Sequence, residues 1–280
     1  MTGIVDAHQH FWDPATGVYP WMTDELAAIR HRFAPDDLRP TLERRGVSRT
    51  ILVQTRSSLP ETVGFLETAA STDFVAGVVG WVDLTDEAVA GVLDRLRSGP
   101  TGRWLVGIRH QTHDEPDPDW LTRPDVMRGL RAVGRAGLPY DLVVRTRELP
   151  ASLEIATRIP ELTLVIDHIA KPEIRHGQFE PWAERMAALA AMPNVTCKVS
   201  GMVTEADWSS WTRAELRPYV DLVLGWFGPR RLLFGSDWPV CLLAATYDEV
   251  LDAVEDLLAS LTPAERNEVF EGTATRVYGL

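Results

Sequence analysis

Short apolar runs rich in β-branched residues recur every few tens of residues along the chain, and they lack a strict alternation of polar and apolar positions. Runs of this kind are typical of parallel strands that are buried on both faces. The pattern predicts eight strands, which are Ile4–His8, Thr50–Gln54, Val75–Gly80, Leu105–Arg109, Pro139–Val144, Thr163–Asp167, Val195–Val199 and Leu232–Phe234.

The segments between these strands carry helix signals. One helix is predicted to begin with Pro124 at its first position and to stop at Gly137, and another follows the capping box Thr262-Pro263-Ala264-Glu265. Eight strand–helix units in this length favour a closed (β/α)8 TIM barrel. No nucleotide-binding glycine loop follows a strand and no linker divides the chain, so residues 1–280 are predicted to form a single α/β domain.

Three of the connections that follow predicted strands are long. They come after the first, fourth and seventh strands and are Phe11–Pro35, Gln111–Trp120 and Gly201–Thr212. In a barrel these connections lie at the C-terminal face, where substrates bind. Because all three contain tryptophan, we expect them to form lids or walls of a substrate cavity.

Composition narrows the classes of partner. The 280-residue chain is 45% hydrophobic and has a formal net charge of −12, so neither nucleic acid nor an anionic membrane is expected as a partner. It has no signal-peptide pattern and no apolar stretch of the roughly 20 residues that span a bilayer. Cys197 and Cys241 form neither a disulfide framework nor a zinc-finger pattern. We expect a cytoplasmic protein, and a homo-oligomer is compatible with this sequence.

Polar residues follow several predicted strands, where a barrel carries its catalytic groups. His8 and His10 are two residues apart on the first strand, so their imidazoles point the same way and can begin a metal or an oxyanion site. The same alternation places Asp6 on their face, where it could orient an imidazole. His168 ends the sixth strand and Asp237 the eighth. With cationic neighbours Asp237 would be ionised and able to act as a general base.

Six further residues are candidates for contact with a substrate. Arg109 ends the fourth strand, where a guanidinium can bind carboxylate, lactone or hydroxyl oxygens. Lys198 ends the seventh strand and is expected to face the barrel mouth. The other candidates lie at strand ends or in the long first connection, and they are His110, Trp12, Trp81 and Trp238. Any single tryptophan could instead plug the barrel mouth or make a subunit contact.

Five motifs in this order resemble those of the amidohydrolase superfamily, and more narrowly those of its sugar-lactonase branch. The motifs are Asp6-Ala7-His8-Gln9-His10-Phe11-Trp12, Gly107-Ile108-Arg109-His110, Asp167-His168-Ile169-Ala170-Lys171-Pro172, Lys198-Val199-Ser200-Gly201 and Phe234-Gly235-Ser236-Asp237-Trp238-Pro239. The resemblance extends over almost the whole chain. The first and last motifs are typical of the superfamily, whereas the strand-four and strand-six motifs point towards the branch.

The resemblance implies a (β/α)8 barrel that hydrolyses a substrate at a carbonyl carbon. By motif match, four residues take the active-site positions of the superfamily, and they are His8, His10, His168 and Asp237. Asp237 would be the general base and Arg109 would bind substrate. The segment Leu138–Arg145 has no histidine, although many metal-dependent members place one at the end of strand five. A two-metal site is therefore not expected. Either one divalent ion, foremost Zn²⁺, is held by these four residues, or the enzyme works without a metal.

This resemblance leads us to expect an enzyme that opens the ring of a sugar-acid lactone, such as an L-fuconolactone-like aldonolactone. Three alternatives stay open. A dicarboxylate-lactone hydrolase would have a second arginine in its pocket. A decarboxylase or hydratase of the same superfamily would have a firmer metal site. The third alternative is a ligand-binding barrel with a vestigial site, against which the complete set of three histidines and one aspartate argues.

Overall fold

A computed structural model describes residues 3–280 and contains eight parallel strands that follow one another in chain order around a barrel. The strands are β1 (Ile4–Gln9), β2 (Val47–Val53), β3 (Val75–Gly80), β4 (Leu105–His110), β5 (Tyr140–Leu142), β6 (Leu164–Ile166), β7 (Val195–Val199) and β8 (Leu232–Phe234). Every predicted strand is present, with ends that differ by a few residues. The prediction of a (β/α)8 barrel is confirmed.

Helices follow the strands and cover the barrel from outside. They are α1 (Pro35–Arg45), α2 (Leu59–Ser71), α3 (Val89–Ser98), α4 (Pro124–Arg135), α5 (Leu149–Arg158), α6 (Trp182–Ala190), α7 (Met202–Glu205), α8 (Arg213–Phe227), α9 (Tyr247–Leu257), α10 (Pro263–Asn267) and α11 (Thr273–Tyr278). A π-helical turn, Glu268–Gly272, joins the last two. Within residues 3–280, no helix combines the length and the apolar character that crossing a membrane requires.

The barrel closes where the end of β1 meets the residues that follow β8. The amide of Asp237 donates to the carbonyl of His8 at 2.8 Å, and the amide of His10 donates to the carbonyl of Trp238 at 2.7 Å. Three residues that were predicted to carry chemistry therefore lie on the seam that completes the sheet. Their backbone positions are fixed by the same hydrogen bonds that close the fold.

Apolar side chains pack in two places. The larger cluster lies between the strands and the helices. The smaller one lies in the barrel interior and is formed by Val5, Ala7, Ile51, Val53, Val79, Val106, Val165, Leu233, Ala274 and Tyr278. The last two residues belong to α11, so the C-terminal helix closes one end of the interior. The charged groups described below are buried above this layer.

Asp6 ties the two ends of the sheet together and does not orient an imidazole. The pairing of β1 with β2 is irregular between Asp6 and Gln9, and this irregularity breaks the two-residue alternation that placed Asp6 beside His8. Its carboxylate accepts hydrogen bonds from the amide and hydroxyl of Ser236, at 2.9 and 2.6 Å, and from the Tyr247 hydroxyl at 3.1 Å. Burial raises the pKa of Asp6 to about 6 in spite of these hydrogen bonds.

We expect Asp6→Ala to lower the free energy of unfolding by about 2 kcal/mol, because buried donors on Ser236 and Tyr247 lose their acceptor. The loss is limited because the variant no longer buries a carboxylate. Asp6→Asn is the matched control, since its oxygen still accepts from Ser236 and the two hydroxyls can turn to accept from its amide. Urea unfolding at pH 7 measures both variants. An alanine variant as stable as the asparagine variant would contradict this role.

Candidate active site

A cavity of about 490 Å³ opens at the C-terminal ends of the strands. Residues at the end of seven of the eight strands, or shortly after it, line the cavity, and they include His10, Thr55, Arg109, Arg145, His168, Thr204 and Asp237. The connections after β1, β4 and β7 also contribute to the wall, with Trp21, His113, Asp114, Glu205 and Trp208. The cavity therefore lies where barrel enzymes place their catalytic groups.

His10 lies at the base of this cavity and His8 is buried beside it, with their Nε2 atoms 3.1 Å apart. Nδ1 of His10 is 2.8 Å from the carbonyl oxygen of Val53, and a carbonyl can only accept a hydrogen bond. Nδ1 of His10 therefore carries a hydrogen, and in the tautomer with its only ring hydrogen there the lone pair of Nε2 faces the site. His8 is completely buried, and this burial holds its pKa well below the usual value.

Asp237 faces three imidazoles. One oxygen of its carboxylate, Oδ1, is 3.5 Å from Nε2 of His10, 3.8 Å from Nε2 of His8 and 3.9 Å from Nε2 of His168. Burial alone would raise the pKa of Asp237, but His168 and His10 outweigh this effect, so its pKa lies below the ordinary value. Its backbone is left-handed, with φ of 58°. This conformation is costly for a residue with a side chain and is typical of functional sites.

His168 is presented by a left-handed turn that directly follows β6. Four consecutive residues, His168–Lys171, have φ between 46° and 59°. Nδ1 of His168 is 2.9 Å from the hydroxyl of Ser200, which leaves Nε2 on the side of Asp237. Burial lowers the pKa of His168 well below its usual value, so the ring is neutral. A neutral ring in this position is a ligand or a hydrogen-bonding partner.

Gly201 makes room for this histidine. A Cβ atom at Gly201 would lie 2.5 Å from Nδ1 of His168, and the glycine has a φ of +61°. We expect Gly201→Ala to displace the imidazole and lower kcat about 100-fold, the size of effect that a 1 Å misplacement causes. Gly177→Ala is the matched control, because Gly177 also has a φ of +61° but no atom lies within 4 Å of its added Cβ. Equal kcat in the two variants would contradict the steric role.

Arg109 reaches the cavity from β4, as predicted, and its guanidinium is held from below. Nη1 donates to Oδ2 of Asp167 at 2.8 Å, and Nε and Nη2 donate to Oε1 of Gln54 at 3.1 and 2.9 Å. Nη1 also lies 3.2 Å from Nε2 of His8. The guanidinium is thus fixed in place beside the imidazoles, with Nη1 between Asp167 and His8.

Lys198 does not face the barrel mouth. Its side chain is fully buried beneath the cavity, where Nζ is 2.6 Å from Oδ2 of Asp141, 2.9 Å from Oδ1 of Asp167 and 3.1 Å from Nδ1 of His8. The two carboxylates draw the ammonium inwards. Burial raises the pKa of Asp141 to about 6 against the effect of Lys198. For Asp167 the nearby Lys198 and His8 outweigh burial, and its pKa lies well below the usual value.

The four remaining candidates for substrate contact lie outside the cavity wall. The indole of Trp81 donates to Nδ1 of His110 at 2.9 Å, and Nε2 of His110 is 2.7 Å from a Glu115 oxygen. Trp12 and Trp238 are buried and pack against other aromatic rings of the first connection. The ring nitrogens of Trp81 and His110 already have hydrogen-bonding partners, and the rings of Trp12 and Trp238 are covered by aromatic neighbours. These four side chains therefore stabilise the loops that form the wall.

The three long connections were expected to form the wall, and they supply Trp21, His113 and Glu205. Sequence reasoning did not name these three side chains as site residues, and it missed Arg145, because the paths of connections are not encoded by a periodic pattern. Lys171 forms a salt bridge to Glu205 at 2.5 Å and also lines the cavity.

One divalent ion would fit the donor set. Donor atoms of His8, His168 and Asp237 all lie within 4.8 Å of one another, and Nε2 of His10 adds a fourth donor beside them. Imidazole nitrogen and carboxylate oxygen are common zinc ligands. Oδ1 of Asp167, 3.3 Å from Nδ1 of His8, is a carboxylate of the kind that orients a ligating histidine.

Comparison with known proteins agrees with this geometry. The family model described as amidohydrolase matches residues 5–280. The L-fucono-1,5-lactonase of Burkholderia ambifaria is 42% identical over 99% of this chain and 96% of its own, and that of Burkholderia multivorans is 38% identical over the same shares. A crystal structure of a Burkholderia multivorans amidohydrolase with bound zinc superposes with a TM-score of 0.93 at 37% identity, over all of both chains. The chain therefore belongs to the amidohydrolase family.

Proposed function

We propose that this protein hydrolyses a neutral sugar lactone, in particular L-fucono-1,5-lactone or a close aldonolactone, by directing water onto the lactone carbonyl. The observation that carries the proposal is the position of the Asp237 carboxylate, with one oxygen 3.5 to 3.9 Å from three imidazoles at the base of the cavity. The names of the two lactonase relatives support the substrate class.

In the first step Asp237 takes a proton from water as the water oxygen attacks the carbonyl carbon of the lactone. The pKa of Asp237 lies below its ordinary value, so the carboxylate is ionised at neutral pH and can act as a base. The carbonyl oxygen becomes an oxyanion. Arg109 stabilises that charge through Nη1, and Gln54 and Asp167 keep the guanidinium in place before the reaction begins.

In the second step the bond between the carbonyl carbon and the ring oxygen breaks. Asp237 returns its proton to the departing ring oxygen, which becomes a hydroxyl group, with His168 beside it as the alternative donor. The product is a hydroxy acid that ionises at neutral pH, so each turnover releases a proton to the solution. A lactone is a more reactive substrate than an amide, and one base with one oxyanion-binding group is a sufficient set for its hydrolysis.

A divalent ion would be held by His8, His10, His168 and Asp237. When bound, it would act as a Lewis acid on the carbonyl and lower the pKa of water. His10 can provide its Nε2 lone pair without rearrangement, because its Nδ1 hydrogen is engaged by Val53.

The charges of the cavity wall favour a neutral substrate. A second arginine, Arg145, does line the cavity, which was the sign expected of a dicarboxylate-lactone hydrolase. However, the wall cations lie beside carboxylates. Lys171 pairs with Glu205, and His113 and Arg145 hold the pKa of Asp114 below its usual value against its burial. A dianionic substrate would have to displace these carboxylates, whereas the hydroxyl groups of an aldonolactone can bind to both kinds of charge.

A panel of lactones tests the proposal. We expect kcat/KM for L-fucono-1,5-lactone to exceed that for 2-pyrone-4,6-dicarboxylate at least about 100-fold. Proton release into a weakly buffered indicator measures both reactions, and parallel assays with a chelator and with added Zn²⁺ measure the need for a metal. Preference for the dicarboxylate would overturn the assignment of a neutral substrate. Failure to hydrolyse any lactone, with or without Zn²⁺, would overturn the proposed function.

A further inference from the structure

The use of lysine in this chain is exceptional. Of the 28 cationic side chains only two are lysines, Lys171 and Lys198, and all the others are arginines. Both lysines lie at the active site, one in the cavity wall and one beneath the cavity floor. Lysine differs from arginine in that it is a compact charge whose three hydrogens can point to partners in different directions. The position of Lys198 makes use of this property.

The ammonium of Lys198 lies among three acceptors. It donates to Asp141 at 2.6 Å and contacts Asp167 at 2.9 Å, and its third neighbour is Nδ1 of His8 at 3.1 Å. Asp141 is itself held by the hydroxyl of Tyr278, which donates to Oδ2 at 2.8 Å. The lysine is thus fixed from the closed end of the barrel by α11, and it touches a residue of the reaction centre on its other side.

An ammonium can only donate, so its hydrogen bond to His8 makes Nδ1 an acceptor. In a neutral imidazole the other nitrogen then carries the hydrogen. That nitrogen, Nε2, lies 3.1 Å from Nε2 of His10, which is an acceptor because its own Nδ1 donates to Val53. Donors and acceptors therefore alternate from Lys198 through His8 and His10 to the backbone of β2.

A second arrangement of His8 competes with this one. With its hydrogen on Nδ1, the ring would donate to Oδ1 of Asp167 at 3.3 Å and accept from Nη1 of Arg109 at 3.2 Å. This is the arrangement that a metal-binding histidine adopts, since Nε2 must then offer a lone pair. It brings a hydrogen of His8 against a hydrogen of Lys198, 3.1 Å away. The first arrangement brings the Nε2 hydrogen near Nη1 of Arg109 at 3.2 Å, but it gives that hydrogen an acceptor on His10 and leaves Arg109 its hydrogen bonds to Asp167 and Gln54. The charged groups around His8 are Lys198, Arg109, Asp167 and Asp237.

We propose that Lys198 is a positioning residue that keeps the hydrogen of His8 on Nε2 and thereby weakens His8 as a metal ligand. In the metal-free enzyme His8 then presents an N–H group to the reaction centre beside Asp237. Metal binding requires this hydrogen to move to Nδ1, against the ammonium of Lys198. The strength of metal binding is therefore set from beneath the site by a residue that contacts neither metal nor substrate.

The tautomer of His8 can be read by NMR with ¹⁵N-labelled histidine rings, in the metal-free protein and without any substrate. The chain has seven histidines, and the His8 signal is assigned by its loss in His8→Gln. We expect a bare Nδ1 and a protonated Nε2 in the wild type. In the charge-balanced variant Lys198→Met/Asp141→Asn we expect the reverse, and in the control Lys171→Met no change. A protonated Nδ1 in the wild type would overturn the proposal even if the double variant failed to fold.

Zinc affinity provides the second readout. We expect the double variant to bind Zn²⁺ about tenfold more tightly than the wild type, the lower end of the effects that neighbours of metal ligands have. Its net charge equals that of the wild type, so a general attraction for cations cannot explain a gain. Lys171→Met measures that general attraction, because it removes a charge near the cavity without touching His8. Unchanged or weaker binding in the double variant would overturn the proposal, whatever the outcome of the lactone assays.

Discussion

Replacing Asp237 with asparagine is expected to lower kcat for L-fucono-1,5-lactone by about 10³-fold, within the range that a positioned general base contributes. The amide has nearly the same size and keeps contact with His10 and His168, so the fold should persist. What it loses is the ability to take a proton from water. KM should change far less than kcat, because the proton is transferred only on the way to the transition state.

Asp114→Asn is the matched control for this variant. Asp114 is another carboxylate of the same cavity wall, but its imidazole partner is His113 and not one of the three histidines around Asp237. Its replacement should leave kcat within a few-fold and act on KM, if it acts at all. Circular dichroism and the midpoint of thermal unfolding establish that both variants are folded. Full turnover by a folded Asp237→Asn protein would remove Asp237 from the role of base.

Replacing Lys198 with methionine is expected to lower the free energy of unfolding by about 3–5 kcal/mol, the usual cost of removing one partner of a buried ion pair. Methionine fills a similar volume, so the loss does not come from an empty space. It comes from Asp141, which keeps only the hydroxyl of Tyr278, and from Asp167, which keeps Arg109. This variant tests whether the buried charges of Lys198, Asp141 and Asp167 stabilise one another.

The double variant Lys198→Met/Asp141→Asn should recover most of that stability. It also removes the charge of Asp141, which loses its lysine partner in the single variant. The carboxylate of Asp167 remains and still has its partner Arg109. The coupling energy between Lys198 and Asp141 follows from urea unfolding of four proteins. These are the wild type, Lys198→Met, Asp141→Asn and the double variant. Additive effects of the two substitutions would show that the pair is not coupled.

The strands were predictable because their signal is local and redundant. Runs such as Leu164–Ile166 are apolar on both faces, and this one is followed by Asp167 and His168 at the point where the chain leaves the barrel. The positions of His8, His168 and Asp237 follow from the same fact, since strand ends meet at one face of a barrel. The cavity could therefore be placed from the sequence, and so could the residues at its base.

Directions of side chains were harder to predict than positions. Alternation placed Asp6 beside His8, but the irregular pairing of β1 turns Asp6 towards Ser236. Lys198 was expected at the mouth because it ends a strand, yet carboxylates on β5 and just after β6 draw it beneath the cavity floor. Such partners are distant in sequence, and no local pattern predicts the contact. The sequence does contain one indication, because the chain has two lysines among 28 lysine and arginine residues, which suggests a specific role for each.

The cavity wall was the least predictable part. Trp12 and Trp238 were expected to touch substrate but pack against aromatic neighbours, while Trp21 lines the cavity. The long connections fold by contacts with one another, and the left-handed turn at His168–Lys171 has no glycine to mark it. Substrate preference depends on this wall, which is why it must be measured.

Hydrolysis of L-fucono-1,5-lactone in ¹⁸O-labelled water tests the central claim most directly. The enzyme should be present in an amount that makes spontaneous ring opening negligible, and mass spectrometry of the fragmented product locates the label. We predict that the enzyme accelerates ring opening and that the new oxygen is found in the carboxylate, because Asp237 directs water onto the carbonyl carbon. Two results would contradict the account. One is label in the hydroxyl group that ring opening creates, and the other is no acceleration over the uncatalysed reaction.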